Sequence, residues 1–326
     1  MPEFLELTPP GQALETFLEN LPLRQRVETV RTEDAAGRVT AVEVTAPHAL
    51  PEFKRSTVDG YAVKARDTHG ASDALPAYLD LRGEVPMGGS PSFQLSETEC
   101  ALIHTGGMLP EGSDAVVMVE FTQQSQSDQI EILHAVAEGE NVIEKGEDIA
   151  EGERVISKGK RLRAADIGGL MALGITELAV SKKPVVGIIS SGDEVIPPDQ
   201  QPSPGQVRDI NSYTLSTLVH DSGGRAVQYG IVEDTRDAMF EAVAEAKENC
   251  DVVIVTAGSS ASTRDLTAEI MDAQGEPGVL IHGVNVKPGK PTILAVADDT
   301  SFVGLPGNPV SALVIAGLFV KPVIEA

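Results

Sequence analysis

Residues 185–257 alternate between two hydrophobic periods. "VVGIIS" (185–190) is an apolar, β-branched run, and "NSYTLSTLVHDSG" (211–223) has helical spacing that stops at Gly223. Strand "AVQYGIV", helix "DTRDAMFEAVAEAKE" and strand "DVVIVTAG" follow. Strands separated by helices of this length imply a parallel, doubly wound α/β sheet, because each helix is the crossover that a parallel pair needs. Asn211 stands where the first helix would be capped, and Asp234 with Asp237 three residues on has a capping pattern. "VLIHGVNV", "TILAVA" and "SFVGL" read as further strands before a helix from Pro309.

The texture upstream is different. "GQALETFLENL" (11–21) is helical, with Thr8 available as its cap. From about 50 to 145, short β-rich pieces alternate with Gly, Pro, Asp and Ser turns. "GERVISKGKRL" (152–162) predicts a hairpin arm and "AADIGGLMALG" (164–174) a helix. The expected architecture is an elongated, multidomain α/β plus β chain. Residues 1–25 form an N-terminal helix packing on the α/β domain. Residues 26–50 and 144–180 form a hairpin/helix arm, 51–143 an all-β insertion, and 181–326 the α/β domain.

Charge and composition narrow the function. The 326 residues carry 25 Lys+Arg against 49 Asp+Glu, a formal net charge of −24. Such a surface repels nucleic-acid phosphates, and with no Trp and 4% aromatics it offers few stacking platforms. Cys100 and Cys250 form no CxxC pair, and the six histidines form no HxH or HExxH motif. The longest apolar run, "ALVIAGLFV" (312–320), is too short to span a bilayer, and the N-terminus has no signal-peptide pattern. A cytoplasmic protein that binds neither membrane nor nucleic acid is expected.

In open α/β sheets, ligands bind beyond the carboxyl ends of the strands. "SSGDEV" (190–195), "TAGSSASTRD" (256–265), "VKPGKP" (286–291) and "GLPGNPVS" (304–311) all fall there. Glycine-rich turns before helices cradle anions with backbone N–H groups, although Gly, Pro, Asn and Asp also dominate plain turns. Asp193, Glu194, Asp234 and Asp265 are hard oxygen ligands of the kind Mg²⁺ uses beside phosphate. The alternative is that Asp234 is only a helix cap and that Asp193-Glu194 is a solvated turn. Lys287 and Lys290 place two cations in a proline-stiffened turn of a very acidic chain. That is either an oxyanion site or a lysine-tipped hairpin. Asp59-Gly60 between two β-like pieces reads most simply as a hairpin turn.

Taken together, "STVDGYAV", "HTGGMLPEGSDAVVMVE", "NVIEKGEDI", "SSGDEV", "GQVRDINSY", "VKPGKP" and "GLPGNPVSA" resemble the molybdopterin molybdenumtransferase family, MoeA in bacteria and the E domain of gephyrin in animals. The resemblance spans nearly the whole chain, in family order. It implies an elongated homodimer and a nucleotide-binding α/β domain like that of the adenylyltransferase of the preceding step, which is itself a candidate partner. It implies Mg²⁺-dependent hydrolysis of adenylylated molybdopterin, with insertion of molybdate and release of AMP. By resemblance, Asp59 and Thr105 are catalytic residues reaching the partner's cleft, joined by Asp265 and Lys287. Glu194, Asp234 and Asp265 become metal ligands. Gly258, Ser259, Lys287, Lys290, Pro306 and Ser311 become substrate- and cofactor-binding residues. Ser259 and Ser262 stand where family members commonly have glycine, and Gly283 where some have lysine. Members usually continue into a small C-terminal β domain, which the resemblance leads us to expect this chain, ending at Ala326, to lack. A non-catalytic pterin-binding or scaffold module of the same fold is the alternative.

Overall fold

The computed structural model describes residues 7–22, 26–126, 128–257 and 261–326, with the side chains of 261–264 left out. The chain forms two compact units, residues 1–28 with 181–326, and residues 29–180.

The chain opens with α1 (Pro10–Glu19), whose Pro10 occupies the first helical position, where no N–H is needed. Thr8 is not its cap. Pro9 precedes the helix without a side-chain cap, and Thr8 instead bridges Val284 in parallel.

Residues 29–180 hold one six-stranded sheet. Its strands are β1 (Gly60–Val63), β2 (Ala77–Glu84), β3 (Glu99–Ile103), β4 (Ala115–Met118), β5 (Thr122–Gln126) and β6 (Gln129–Ile132), in the order β4-β1-β3-β2-β6-β5. Both faces are buried. Val63, Cys100, Ala115, Val117, Ile130 and Ile132 fill one core, and Ala62, Ala101, Ile103 and Val116 the other. Alternate residues of β1, β3 and β4 thus go to opposite cores, as the two-residue period of a strand requires. Helix α2 (Ala164–Ala172) closes a smaller core of Ala35, Ile156, Leu162, Leu170, Leu178 and Val180. Residues 152–162 do not fold back on themselves as the expected hairpin. Arg154–Ile156 pairs antiparallel with Val44–Thr45, and the Thr40 hydroxyl ties the two segments by donating to Ser157 O at 2.8 Å. The hairpin reading failed because the partner strand lies more than a hundred residues away in sequence.

The other unit is built on β7 (Val185–Ser191), β8 (Arg225–Val232), β9 (Val252–Ala257), β10 (Pro277–His282), β11 (Ile293–Ala297) and β12 (Thr300–Pro306), ordered β8-β7-β9-β12-β11-β10. Helices α3 (Asn211–Asp221), α4 (Arg236–Asn249), α5 (Ala261–Asp272) and α6 (Pro309–Ile315) flank it. Val186, Ile188, Ile254, Leu294 and Val303 pack with Ala13 and Phe17 of α1, Leu215 and Val219 of α3, and Ile315 of α6. Ile189, Val253, Val255 and Ala295 point the other way, to Met239 and Val243 of α4 and Ile270 and Met271 of α5. Strands β8, β7, β9 and β12 are mutually parallel, but β11 runs antiparallel to both of its neighbours, β12 and β10. The all-parallel expectation fails at "AVADDTSF". Ala297 pairs with Thr300 across Asp298 and Asp299, and a turn that short cannot make a crossover. No helix among the described residues is long and apolar enough to cross a membrane.

Candidate active site

Register puts the carboxyl ends of the parallel strands on one line. Ser191 pairs with Val232, Ser190 with Thr256, and Ala257 with Pro306. Because β11 runs antiparallel, its first residue, Ile293, pairs with Gly304 near the end of β12. The reversal therefore delivers the lysine turn to the same edge of the sheet.

That turn is held at several points. Thr8 N donates to Gly283 O at 3.1 Å, Asn285 N to Thr8 O at 2.8 Å, and Val284 N to Lys290 O at 2.9 Å. The Thr292 hydroxyl donates to Gly289 O at 2.7 Å. Gly289 has φ +120°, and a Cβ there would lie 2.3 Å from Ile315 Cδ1 on α6. Only glycine meets both demands. Lys287 and Lys290 are exposed, and neither has an ion-pair partner among the described residues. They are two exposed charges on a braced turn, suited to a tetrahedral oxyanion.

Pro306 ends β12, and Ser311 is buried in the first turn of α6. The side chain of Asn308 caps that helix through Ser311 N at 3.5 Å. Gly258 and Ser259 lie outside the described residues. Helix α5 begins at Ala261, within "TAGSSASTRD", and Asp265 is exposed on it.

The other carboxylates of the expected metal set come from separate loops. Glu194 is exposed in the loop after β7, held by Val207 N donating to Glu194 O at 2.8 Å. Asp234 is not a cap. Helix α4 starts after Thr235, which makes no side-chain cap, and Asp234 Oδ1 accepts from the Ser191 hydroxyl at 3.1 Å. Among the described residues no three His, Cys, Asp or Glu side chains gather into a metal-holding group. A closed protein cage is therefore not what these residues build. Mg²⁺ needs none, since it is bound through one or two carboxylates, substrate phosphate oxygens and retained waters. Carboxylates spread along the edge that also carries the lysine turn fit such a partial shell.

Sequence reasoning missed the most buried carboxylate of this edge. Asp209 is 6% exposed; its Oδ1 accepts from Ser212 N at 3.1 Å and its Oδ2 from the Ser190 hydroxyl at 3.1 Å. Ser190 Oγ also lies 2.9 Å from Ser212 Oγ and 3.3 Å from Thr256 Oγ1. Asp209 thus does the capping work expected of Asn211 and joins β7, β9 and α3. A carboxylate two residues before a helix start was the available signal. Asn211 instead donates Nδ2–H to Gly307 O at 2.9 Å.

In the other unit, Asp59 and Thr105 are brought together. Asp59 Oδ1 accepts from Thr105 N at 2.7 Å and from Thr105 Oγ1 at 3.1 Å. These bonds, with a smaller contribution from His104, hold the Asp59 carboxyl below the usual carboxylate value, so it is ionised at neutral pH. His104 Nδ1 lies 3.9 Å from Asp59 Oδ1 and its Nε2 3.1 Å from Glu84 Oε1 of β2. Asp59-Gly60 is not a hairpin turn. Gly60 opens β1 between β3 and β4, pairing with Ile103 and Met118.

The model "MoeA N-terminal region (domain I and II)" matches residues 8–174, and "Probable molybdopterin binding domain" matches 187–326. The chain belongs to the MoeA family. A molybdopterin molybdenumtransferase of Nostoc sp. is 35% identical over 312 residues, covering 95% of this chain and 71% of the relative. One of Bacillus subtilis is 34% identical, covering 91% and 70%. A crystal structure of a MoeA protein of molybdopterin biosynthesis from Pyrococcus horikoshii superposes with a TM-score of 0.85 at 32% identity, covering 98% of this chain and 79% of that one. MoeA membership places the chain in molybdenum cofactor biosynthesis.

Proposed function

We propose that the chain is a molybdopterin molybdenumtransferase, which hydrolyses adenylylated molybdopterin, inserts molybdate and releases AMP in a Mg²⁺-dependent reaction. The observation that carries this reading is the lysine turn: two exposed cations, without an ion-pair partner among the described residues, braced at the carboxyl edge of the sheet in a chain of net charge −24. In this reading 181–326 is a doubly wound nucleotide-binding domain, 51–143 a β insertion, and 26–50 with 144–180 an arm. Lys287 and Lys290 hold molybdate or phosphate oxygens, with Ser311 beside them. Gly258, Ser259 and Pro306 line the nucleotide. Glu194, Asp234 and Asp265 hold Mg²⁺, which when bound offsets charge developing on the phosphates.

Asp59 and Thr105 enter the cleft of a second copy in a symmetric homodimer. Their bonding supports this role: Thr105 occupies Asp59 Oδ1 twice, which fixes the carboxylate's direction. Sedimentation equilibrium showing a monomer at tens of micromolar would remove the dimer from this reading.

The direct test is AMP release from adenylylated molybdopterin, with and without molybdate and Mg²⁺. Release that depends on both is expected. In the same assay Lys287→Ala should weaken molybdate binding by about tenfold or more. It should leave the melting temperature within a degree or two, because an exposed, unpaired lysine contributes little to stability. Unchanged anion affinity with a collapsed melting temperature would make the turn purely structural.

A further inference from the structure

We propose that His104 is a positioning residue for the reaction: its imidazolium, braced by Glu84, holds the Asp59 carboxylate for the substrate. The inference rests on the reading above, in which Asp59 acts on substrate. Three segments of one sheet meet at the ring. Gly60 pairs with Ile103 and Glu84 with Leu102, so register carries Asp59, His104 and Glu84 to the same end. Asp59 directly precedes β1, His104 directly follows β3, and Glu84 is the last residue of β2. The turn that bears His104 and Thr105 is tied down. Gly107 N donates to His104 O and Gly106 N to Ser56 O, both at 2.8 Å, and Gly106 has φ +84°. The place is open to a ligand, since the Asp59 side chain is 64% exposed and that of His104 40%.

Each ring nitrogen faces a carboxylate. Nε2 lies 3.1 Å from Glu84 Oε1 and Nδ1 3.9 Å from Asp59 Oδ1. No other carboxylate among the described residues lies within 4.0 Å of either nitrogen. A neutral imidazole has one N–H and would turn a lone pair toward one of the two; only the imidazolium, with two N–H groups, suits both. At 3.9 Å the contact with Asp59 is one of charge rather than a hydrogen bond. Asp59 Oδ1 already takes two bonds from Thr105, and Oδ2 has no partner among the described residues. A cation beside Oδ1 therefore anchors the carboxylate at one oxygen and leaves the other free to act. Of the groups that hold the Asp59 carboxyl low, His104 is the one charged side chain. An exposed ion pair adds little to stability, so the contact should register in chemistry and not in folding.

The experiment uses the whole chain. His104→Gln, neutral at every pH, should lower kcat for AMP release roughly tenfold, with KM within about twofold and the melting temperature within about two degrees. Wild-type kcat should fall as pH rises through the range where an imidazolium loses its proton, and the Gln variant should show no such step. His104→Lys, a fixed cation, should recover part of the rate and also lack the step. In an Asp59→Asn background His104→Gln should cost no more than about twofold further, because its effect runs through Asp59. Independently of activity, the Asp59 carboxyl NMR signal should titrate at higher pH in His104→Gln, since the cation that favours the ionised form is gone. An unmoved Asp59 titration or wild-type kcat in His104→Gln would overturn the proposal. So would a loss of rate matched by a lowered melting temperature with the pH step retained. A wild-type chain that releases no AMP, while its Asp59 signal still depends on His104, would sink the transferase reading and leave the contact standing.

Discussion

Gly60→Ala is expected to destabilise residues 29–180 by about 3 kcal/mol or more, at the upper end of overpacking effects. A Cβ at Gly60 would stand 1.9 Å from Val117 O and 2.9 Å from Val117 C, both backbone atoms of β4. No rotamer change relieves a clash with a main chain. The β1–β4 ladder would have to open at its Gly60–Met118 end. At roughly 2–4 °C per kcal/mol for a domain of this size, the calorimetric transition of that unit should fall by about 6–12 °C. The transition of the α/β unit should stay in place. Because Asp59 directly precedes the clash and Val119 N donates to Asp59 O at 3.0 Å, AMP release should drop as well. A shift under about 0.5 kcal/mol would mean that the two strands are not so closely approached.

The second large effect is on chemistry alone. Asp265→Asn should cut Mg²⁺-dependent AMP release by about a hundredfold or more, while fold and oligomeric state persist. Asp265 is exposed on α5, so exchanging it for a neutral amide of nearly the same shape disturbs no packing. An amide is a poorer ligand for a hard dication, and a lost metal contact worth about 3 kcal/mol in the transition state is roughly a hundredfold in rate. If only affinity is lost, raising Mg²⁺ restores the rate; if geometry is lost too, it does not. Wild-type AMP release by this variant would take Asp265 out of the site. Asp234→Asn gives the contrasting case, since its Oδ1 also takes the Ser191 hydroxyl and the substitution should cost some stability as well as activity.

The sequence by itself determined the elements whose signal is local. Period-two and period-3.6 runs placed the strands and helices of 185–257 within a few residues, because alternating burial is written into each segment: Val186 and Ile188 go to one face of β7 and Ile189 to the other. The lysine turn and the glycine inside it were also legible, since proline and glycine act on their own backbone. Family motifs named Asp59 and Thr105 together, although 46 positions separate them.

Only the tertiary structure decided what depends on distant partners. The direction of β11 was settled by its two-residue connection to β12, and β10 pairs antiparallel on its other side; that direction brings Lys287 and Lys290 to the carboxyl edge. Whether Asp59-Gly60 turns or extends was settled by how closely Val117 O approaches. The cap of Asp209 on Ser212 N is local, but its bond to Ser190 and that of Asn211 to Gly307 O were invisible because those partners come from segments that meet only when the sheet is formed. A side chain's preference for capping or turning is worth about a kilocalorie per mole, and a buried hydrogen bond or a steric clash outweighs it. Local chemistry therefore set where the chain bends and pairs, and burial set what each polar group at the edge finally bonds to.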